Sequence, residues 1–160
     1  MLATPLVPER TFLGESVQRL LDNKRRNELW TISPEASVYQ AIQQMSVRHV
    51  GALIVSHDGE LAGIVSERDY ARRVILMGRN SKEAKVRDIM TSPVMFVSPQ
   101  TSIDDCMRLM TTRKVRHLPV VENGTIAGVL SMGDIVNWVI ESQDETIHRL
   151  QEYIAGTYPA

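Results

Sequence analysis

The chain contains itself twice, and that narrows its possible folds more than any other feature. Thr31 to Tyr70 align without a gap on Phe96 to Ile135 at a constant offset of 65 residues. Ser33-Pro34 falls on Ser98-Pro99, Ser37 on Ser102, Met45 on Met110, Arg48 on Arg113 and Val50 on Val115. The match runs on through Leu53/Leu118, Val55/Val120, Gly59/Gly124, Ala62-Gly63/Ala127-Gly128, Ser66/Ser131 and Asp69/Asp134. Most remaining pairs exchange like for like, as Ile32 with Val97 and Ile64 with Val129. The sequence is a tandem duplication of one small unit, and neither copy is large enough to hold a comfortable core alone.

Each copy has the same local grammar. Val38, Ala41, Ile42 and Met45 carry the i, i+3, i+4, i+7 spacing of an amphipathic helix, with Ser37 as N-cap and Gln40 completing a capping box. Ile103, Cys106, Met107 and Met110 repeat that face after Ser102. Two short apolar runs follow, Ala52–Ser56 and Leu61–Val65, joined through Asp58-Gly59; in the second copy Leu118–Val121 and Ile126–Leu130 are joined through Asn123-Gly124. Asp-Gly and Asn-Gly between apolar runs predict hairpins, because such tight turns need positive φ. A second helix is expected from Glu67 to about Met77 and from Met132 to about Ser142. With a short first strand at Thr31-Ile32 or Phe96-Val97, the unit reads β-α-β-β-α and the fold class is α+β, the two sheets packed about a pseudo-two-fold axis.

The arms divide around that unit. Residues 1–28 are expected to form an N-terminal arm with a short helix near Ser16–Leu21 leading into the first unit, 29–78 the first repeat, and 79–92 a linker whose Val86–Met90 forms the counterpart, a short helical turn leading into the second unit. Residues 93–142 are the second repeat, and 143–160 a tail in which Ile147, Leu150, Gln151 and Ile154 predict an accessory helix.

Charge and composition exclude several functions. Lys and Arg number 18 against 19 Asp and Glu, so a formal net charge of −1 disfavours non-specific nucleic-acid binding. One cysteine excludes an intramolecular disulfide and a cysteine-built zinc site, and Cys106 in the place of Ala41 reads as packing. No paired carboxylate or cysteine stands at metal-ligand spacing. No apolar run approaches the roughly 18–20 residues of a membrane span, and Pro5 and Pro8 interrupt anything like a signal peptide. The expected compartment is the cytoplasm.

The doubled unit resembles the CBS domain (cystathionine-β-synthase type), present as a pair, or Bateman module. The residues that carry the resemblance are Arg116-His117-Leu118-Pro119-Val120-Val121, Val86-Arg87-Asp88-Ile89-Met90-Thr91 and two G-x-x-S-x-x-D segments, Gly63 to Asp69 and Gly128 to Asp134. It covers about Leu13 to Ser142. The resemblance implies a non-catalytic regulatory role, with an adenosine-containing ligand (AMP, ADP, ATP, NAD(H) or S-adenosylmethionine) held in clefts between the repeats. It assigns Asp69 and Asp134 to ribose, Ser66 and Ser131 to phosphate, and strand backbone around Gly51, Ala52, Leu53 and His117 to Val120 to adenine. The candidate nucleotide contacts are thus Thr31, Gly51, Ala52, Ser66, Arg68 and Asp69, with Lys114, Arg116, His117, Pro119, Val120, Ser131, Met132, Gly133 and Asp134. It also implies a homodimer through apolar helix faces and an unidentified regulated protein.

Elementary chemistry is compatible with those roles. Free N–H groups at a helix start favour an anion, and an ionised Asp accepts two hydrogen bonds from a vicinal diol. Basic residues gather near these elements: Arg48 and His49 in one copy, Arg113, Lys114, Arg116 and His117 in the other, with Arg68, Arg72 and Arg73. Arg68 is long enough for a phosphate, whereas Gly133 permits close backbone approach, so the two sites need not be equal. The plainer readings stand beside these. Ser66-x-x-Asp69 and Ser131-x-x-Asp134 are helix-cap patterns, His49 and His117 also read as surface residues, and Trp138 and Tyr153 read as core or as dimer interface. A structural dimerisation module with degenerate clefts is the first alternative function. A nucleotide-acting enzyme is the second, although the sequence has no G-x-S-x-G, P-loop or H-E-x-x-H.

Overall fold

The computed structural model describes residues 14–24 and 29–155. Chain order is α1 (Val17–Asn23), β1 (Thr31–Ile32), α2 (Val38–Arg48), β2 (Ala52–His57), β3 (Glu60–Ser66), α3 (Glu67–Tyr70), α4 (Val86–Ile89), α5 (Ile103–Arg113), β4 (His117–Glu122), β5 (Thr125–Ser131) and α6 (Met132–Ile154). The class is α+β, with one small sheet per repeat.

The duplicated sequence produces duplicated local structure. Ser37 and Gln40 form the expected capping box on α2, and the Ser102 hydroxyl accepts the Asp105 N–H at 3.1 Å on α5. Both helices end on a left-handed residue at equivalent positions, His49 at φ 56° and Lys114 at φ 55°. Both hairpins turn as predicted, through Asp58 (φ 51°) and Gly59 (φ 81°) and through Asn123 (φ 50°) and Gly124 (φ 77°). Even the irregularities repeat, with register shifts at Val55/Ser56 and Val120/Val121.

The repeats differ in their first strand. Thr31 and Ile32 pair in parallel with Ile54 and Val55, but of Phe96-Val97 only Val97 bridges, to Val120. The expected second copy of β1 is therefore a single bridge. The counterpart of Ile54 is Pro119, which has no N–H to give the ladder.

Two further helices depart from expectation. After Tyr70, α3 widens into a π-turn over Ala71–Ile75; Val74 stays buried while Ile75, Leu76 and Met77 are exposed. In contrast, α6 runs unbroken past Ser142 to Ile154, so the tail's periodicity continues one long helix.

The short helices pack on the other repeat from the one expected. Val17, Leu20 and Leu21 of α1 share a core with Ile103, Cys106, Met110, Leu118, Leu130 and Ile135 of the second repeat. Val86 and Ile89 of α4 share a core with Val38, Ala41, Met45, Leu53 and Val65 of the first. Helix starts carry N–H groups with no partner inside the helix, and here they are satisfied reciprocally across each pair. Val17 N–H donates to the Thr101 carbonyl at 2.9 Å while Ile103 N–H donates to the Glu15 carbonyl at 3.0 Å. Val86 N–H donates to Ala36 and Val38 N–H to Ala84, both at 2.9 Å. The N-terminal arm thus completes the second repeat, and the linker folds back on the first.

Cys106 and Trp138 are core residues; burial, reinforced by Asp105, pushes the Cys106 thiol up to about 11. The Tyr153 side chain lies outside the described residues.

Candidate functional site

Placing α1 on the second repeat brings its C-terminal end to the seam between the repeats. There a cavity of about 350 Å³ is walled by Trp30 and the 48–54 segment of the first repeat, and by His117, Val129, Ser131 and Asp134 of the second. Lys24 and Ile64 complete it. Val50, Leu53, Ile54, Ile64 and Val129 give it an apolar wall. The polar groups concentrate at the start of α6 and along the α2–β2 connection, a division that suits a ligand with one flat apolar part and one polar part. The Arg48 guanidinium lies over the Trp30 ring, 3.6 Å from its centroid, which stiffens that edge of the cavity.

The start of α6 is closely organised. Asp134 Oδ2 accepts the Ser131 N–H at 2.8 Å, the Asp134 N–H donates to Ser131 Oγ at 3.1 Å, and Met132 N–H donates to the Arg116 carbonyl at 2.9 Å. Lys24 Nζ, from the C-terminal cap of α1, reaches the same Asp134 Oδ2 at 2.9 Å and the Val129 carbonyl at 3.3 Å. Burial pushes the His117 imidazole below its ordinary pKa; Asp134 opposes the shift, while Lys24 and Arg116 add to it.

The first repeat solves its helix start differently. Ser66 N–H and the Ser66 hydroxyl both donate to Asp69 Oδ2 at 2.9 Å, and Asp69 N–H donates to Ser66 Oγ at 3.2 Å. This carboxylate is held within its own cap. Beside it β3 passes tightly under residues 90–91: a Cβ added at Gly63 would stand 2.7 Å from the Thr91 carbonyl oxygen.

Of the residues nominated from sequence, Gly51, Ala52, Leu53, His117, Ser131 and Asp134 line the cavity together. The others do not line it. Thr31 is exposed on β1, and its carbonyl accepts from Gln44 Nε2 at 3.4 Å. Ser66, Arg68 and Asp69 stand at the start of α3. Lys114 and Arg116 are exposed, whereas Pro119 and Val120 are buried in β4, where the Pro119 carbonyl accepts the Val97 N–H at 3.0 Å. Met132 packs against the second core and Gly133 is exposed on α6. Lys24 and Trp30 line the cavity and were not nominated. Both precede the repeated segment, so the internal alignment carries no signal for either. Arg48, read as a member of a basic cluster, and His49, read as that or as a surface residue, line it as well.

Among the described residues no helix is long and apolar enough to cross a membrane, and no group of three or more His, Cys, Asp or Glu could hold a metal ion.

Comparison with known proteins agrees with the duplicated architecture. The sequence profile of the CBS domain matches residues 7–76 and 86–141. The CBS domain-containing protein CBSX3, mitochondrial, of Arabidopsis thaliana is 42% identical over 135 residues, 81% of this chain and 65% of that protein. The chain therefore spans just under two thirds of that relative's length. The structure of a protein with CBS domains from Burkholderia ambifaria MC40-6 is 43% identical, with a TM-score of 0.77, covering 80% of this chain and 96% of that one. The hexameric CBS-CP12 protein from bloom-forming cyanobacteria is 27% identical, with a TM-score of 0.67, covering 83% and 72% of the two chains. Two matched repeats, two equivalent hairpins and a cavity at their seam leave one assignment: the chain belongs to the CBS-domain family, as a tandem pair of a kind that generally serves as a regulatory, nucleotide-binding module.

Proposed function

We propose that this chain is a non-catalytic sensor that binds an adenosine-containing ligand in the seam cavity and passes the binding event to a partner protein. The observation that carries this reading is the composition of the cavity. One wall is Val50–Ile54 of the first repeat and the other is the Ser131/Asp134 helix start of the second. A ligand spanning both walls favours one relative packing of the repeats over another, which is what coupling to a partner requires. Asp134 Oδ1 accepts no hydrogen bond among the described residues and is open to a ribose hydroxyl, and the apolar wall suits adenine. AMP, ADP, ATP, NAD(H) and S-adenosylmethionine all carry those two parts. The compartment proposed is the cytoplasm, and the mitochondrial relative makes fractionation of the producing cell the direct check.

Calorimetric titration with AMP, ATP, NADH and S-adenosylmethionine tests the reading. Micromolar binding is expected for at least one of them, abolished by Asp134→Ala and much less affected by Asp69→Ala, because only Asp134 lines the cavity. Silence from all four ligands returns the chain to the structural reading, and turnover of a bound nucleotide makes it an enzyme.

We also propose self-association, through α6. Val136, Ile140, Ile147, Leu150 and Ile154 are about half or more exposed. With Gln143 they form an unbroken 4-3-4-3-4 spacing along one face. That is a heptad seam with Ile at each a position and Leu or Val at the apolar d positions, the pattern that favours a two-stranded coiled coil. The cyanobacterial CBS-CP12 protein, similar in fold, is hexameric, which supports this reading.

A further inference from the structure

Lys24 has no counterpart in the first repeat. The helices α1 and α4 correspond through Val17/Val86 and Leu20/Ile89, and that register places Pro93 where α1 has Lys24. The consequence is visible at the two carboxylates. In the first repeat the inner oxygen of Asp69 takes the Ser66 hydroxyl at 2.9 Å. In the second, the corresponding oxygen of Asp134 takes Lys24 Nζ at 2.9 Å, and among the described residues the Ser131 hydroxyl donates to no acceptor. An ammonium has three donors, and those of Lys24 go to Asp134 and the Val129 carbonyl with one remaining.

The ion pair also sits between two spaces. Lys24 and Asp134 line both the seam cavity and a neighbouring one of about 270 Å³ that includes Asn23, Trp138 and Glu141. The pair is partly shielded, its side chains 21% and 16% exposed. Its charges are therefore felt more strongly than those of a surface pair. Among the residues that line the seam cavity the Lys, Arg, Asp and Glu side chains are Lys24, Arg48 and Asp134, two basic against one acidic.

We propose that Lys24 is the specificity-determining residue of the seam cavity, selecting a phosphorylated nucleoside over the neutral nucleoside and over a sulfonium cation. It does so in two ways: it holds the inner oxygen of Asp134, which leaves the Ser131 hydroxyl free to donate to phosphate, and it supplies the charge that makes the cavity net cationic. The inference rests on the nucleotide reading given above and deepens it, since that reading leaves AMP, ATP and S-adenosylmethionine on equal terms. It also makes the two helix starts unequal, because the Ser66 hydroxyl is committed to Asp69.

The test is titration of the full chain with adenosine, AMP, ATP and S-adenosylmethionine, in wild type, Lys24→Met and Lys24→Arg, each checked by thermal melting. Wild type is expected to prefer AMP to adenosine by about ten-fold or more, the scale of one charge-assisted hydrogen bond. It is expected to bind S-adenosylmethionine worst. Lys24→Met brings the AMP-to-adenosine ratio toward one while adenosine still binds, and Lys24→Arg keeps the preference. Lys24→Gln, which retains a donor for Asp134 without the charge, gives the same measurement should Lys24→Met not fold. A ratio near one in wild type, or a ratio that survives removal of the charge, overturns the proposal and leaves nucleotide binding intact. Absence of binding by all four ligands in wild type overturns the nucleotide reading itself, and this inference with it.

Discussion

His117 stands where three kinds of influence meet: burial, the carboxylates of Asp134 and Glu67, and the cations Lys24 and Arg116. Burial is the largest of them, so its folded pKa lies below the ordinary value of about 6.5. Between the folded and unfolded values the unfolded chain holds the extra proton, so the stability of the native state rises with pH. Acidification below about 6.5 therefore draws stability out of the fold through this residue. Urea midpoints for wild type and His117→Gln at pH 7.5 and 5.5 check the sign. The loss on acidification is expected to be smaller in His117→Gln than in wild type, and an equal loss in both refutes the role. The same residue shows how far sequence reading reaches. Arg116-His117-Leu118-Pro119 marked the neighbourhood through family resemblance, and Ser131 and Asp134 came with their motif. Lys24 and Trp30 were illegible because the contact of Lys24 with Asp134 spans 110 residues of chain and neither belongs to a repeated pattern.

At the scale of the element, what was legible was local. The spacing of Val38, Ala41 and Met45 places α2 and names its buried face, and Asp58-Gly59 and Asn123-Gly124 place both turns, because each signal is complete within a few residues. Periodicity says which face of a helix is apolar and is silent about which surface covers it. That is why α1 and α4 were expected to lead into the repeats that follow them in sequence. The exchange has a measurable consequence. Leu20 is 3% exposed in the core of the second repeat, so Leu20→Ala removes buried methyl groups there and is expected to cost about 2–5 kcal/mol. Hydrogen exchange locates the loss: amides of β4 and β5 lose protection ahead of those of β2 and β3. Equal loss in both sheets, or loss led by β2 and β3, returns α1 to the first repeat.

For the whole molecule, the duplication supplies two similar halves and the arms make them unequal. The N-terminal arm completes the second core and carries Lys24 to the seam, so the segment that stabilises one repeat also shapes the cavity it shares with the other. A second asymmetry follows at the far ends. The first repeat closes with a π-turn near Val74, whereas the second continues into 23 residues of α6, and its exposed seam is longer than the repeat needs for its own core. If that seam joins two copies, replacing its middle disrupts assembly and leaves the monomer folded. Ile147 and Leu150 are 53% and 56% exposed, so a lysine at either position adds little strain within one chain. In a paired seam the same lysines face each other across an apolar core, where unpaired charge is costly. Sedimentation of wild type is expected to give twice the 18.0 kDa chain mass, or a multiple of that dimer, and the doubly substituted Ile147→Lys, Leu150→Lys chain a smaller species with an unchanged circular dichroism spectrum. An 18.0 kDa wild-type species, or an assembly that survives both substitutions, removes α6 from the interface. With the seam intact, nucleotide binding that moves the first repeat's wall of the cavity relative to the start of α6 also reorients the coiled coil, because the helix that carries Asp134 in its first turn is the one that ends at Ile154.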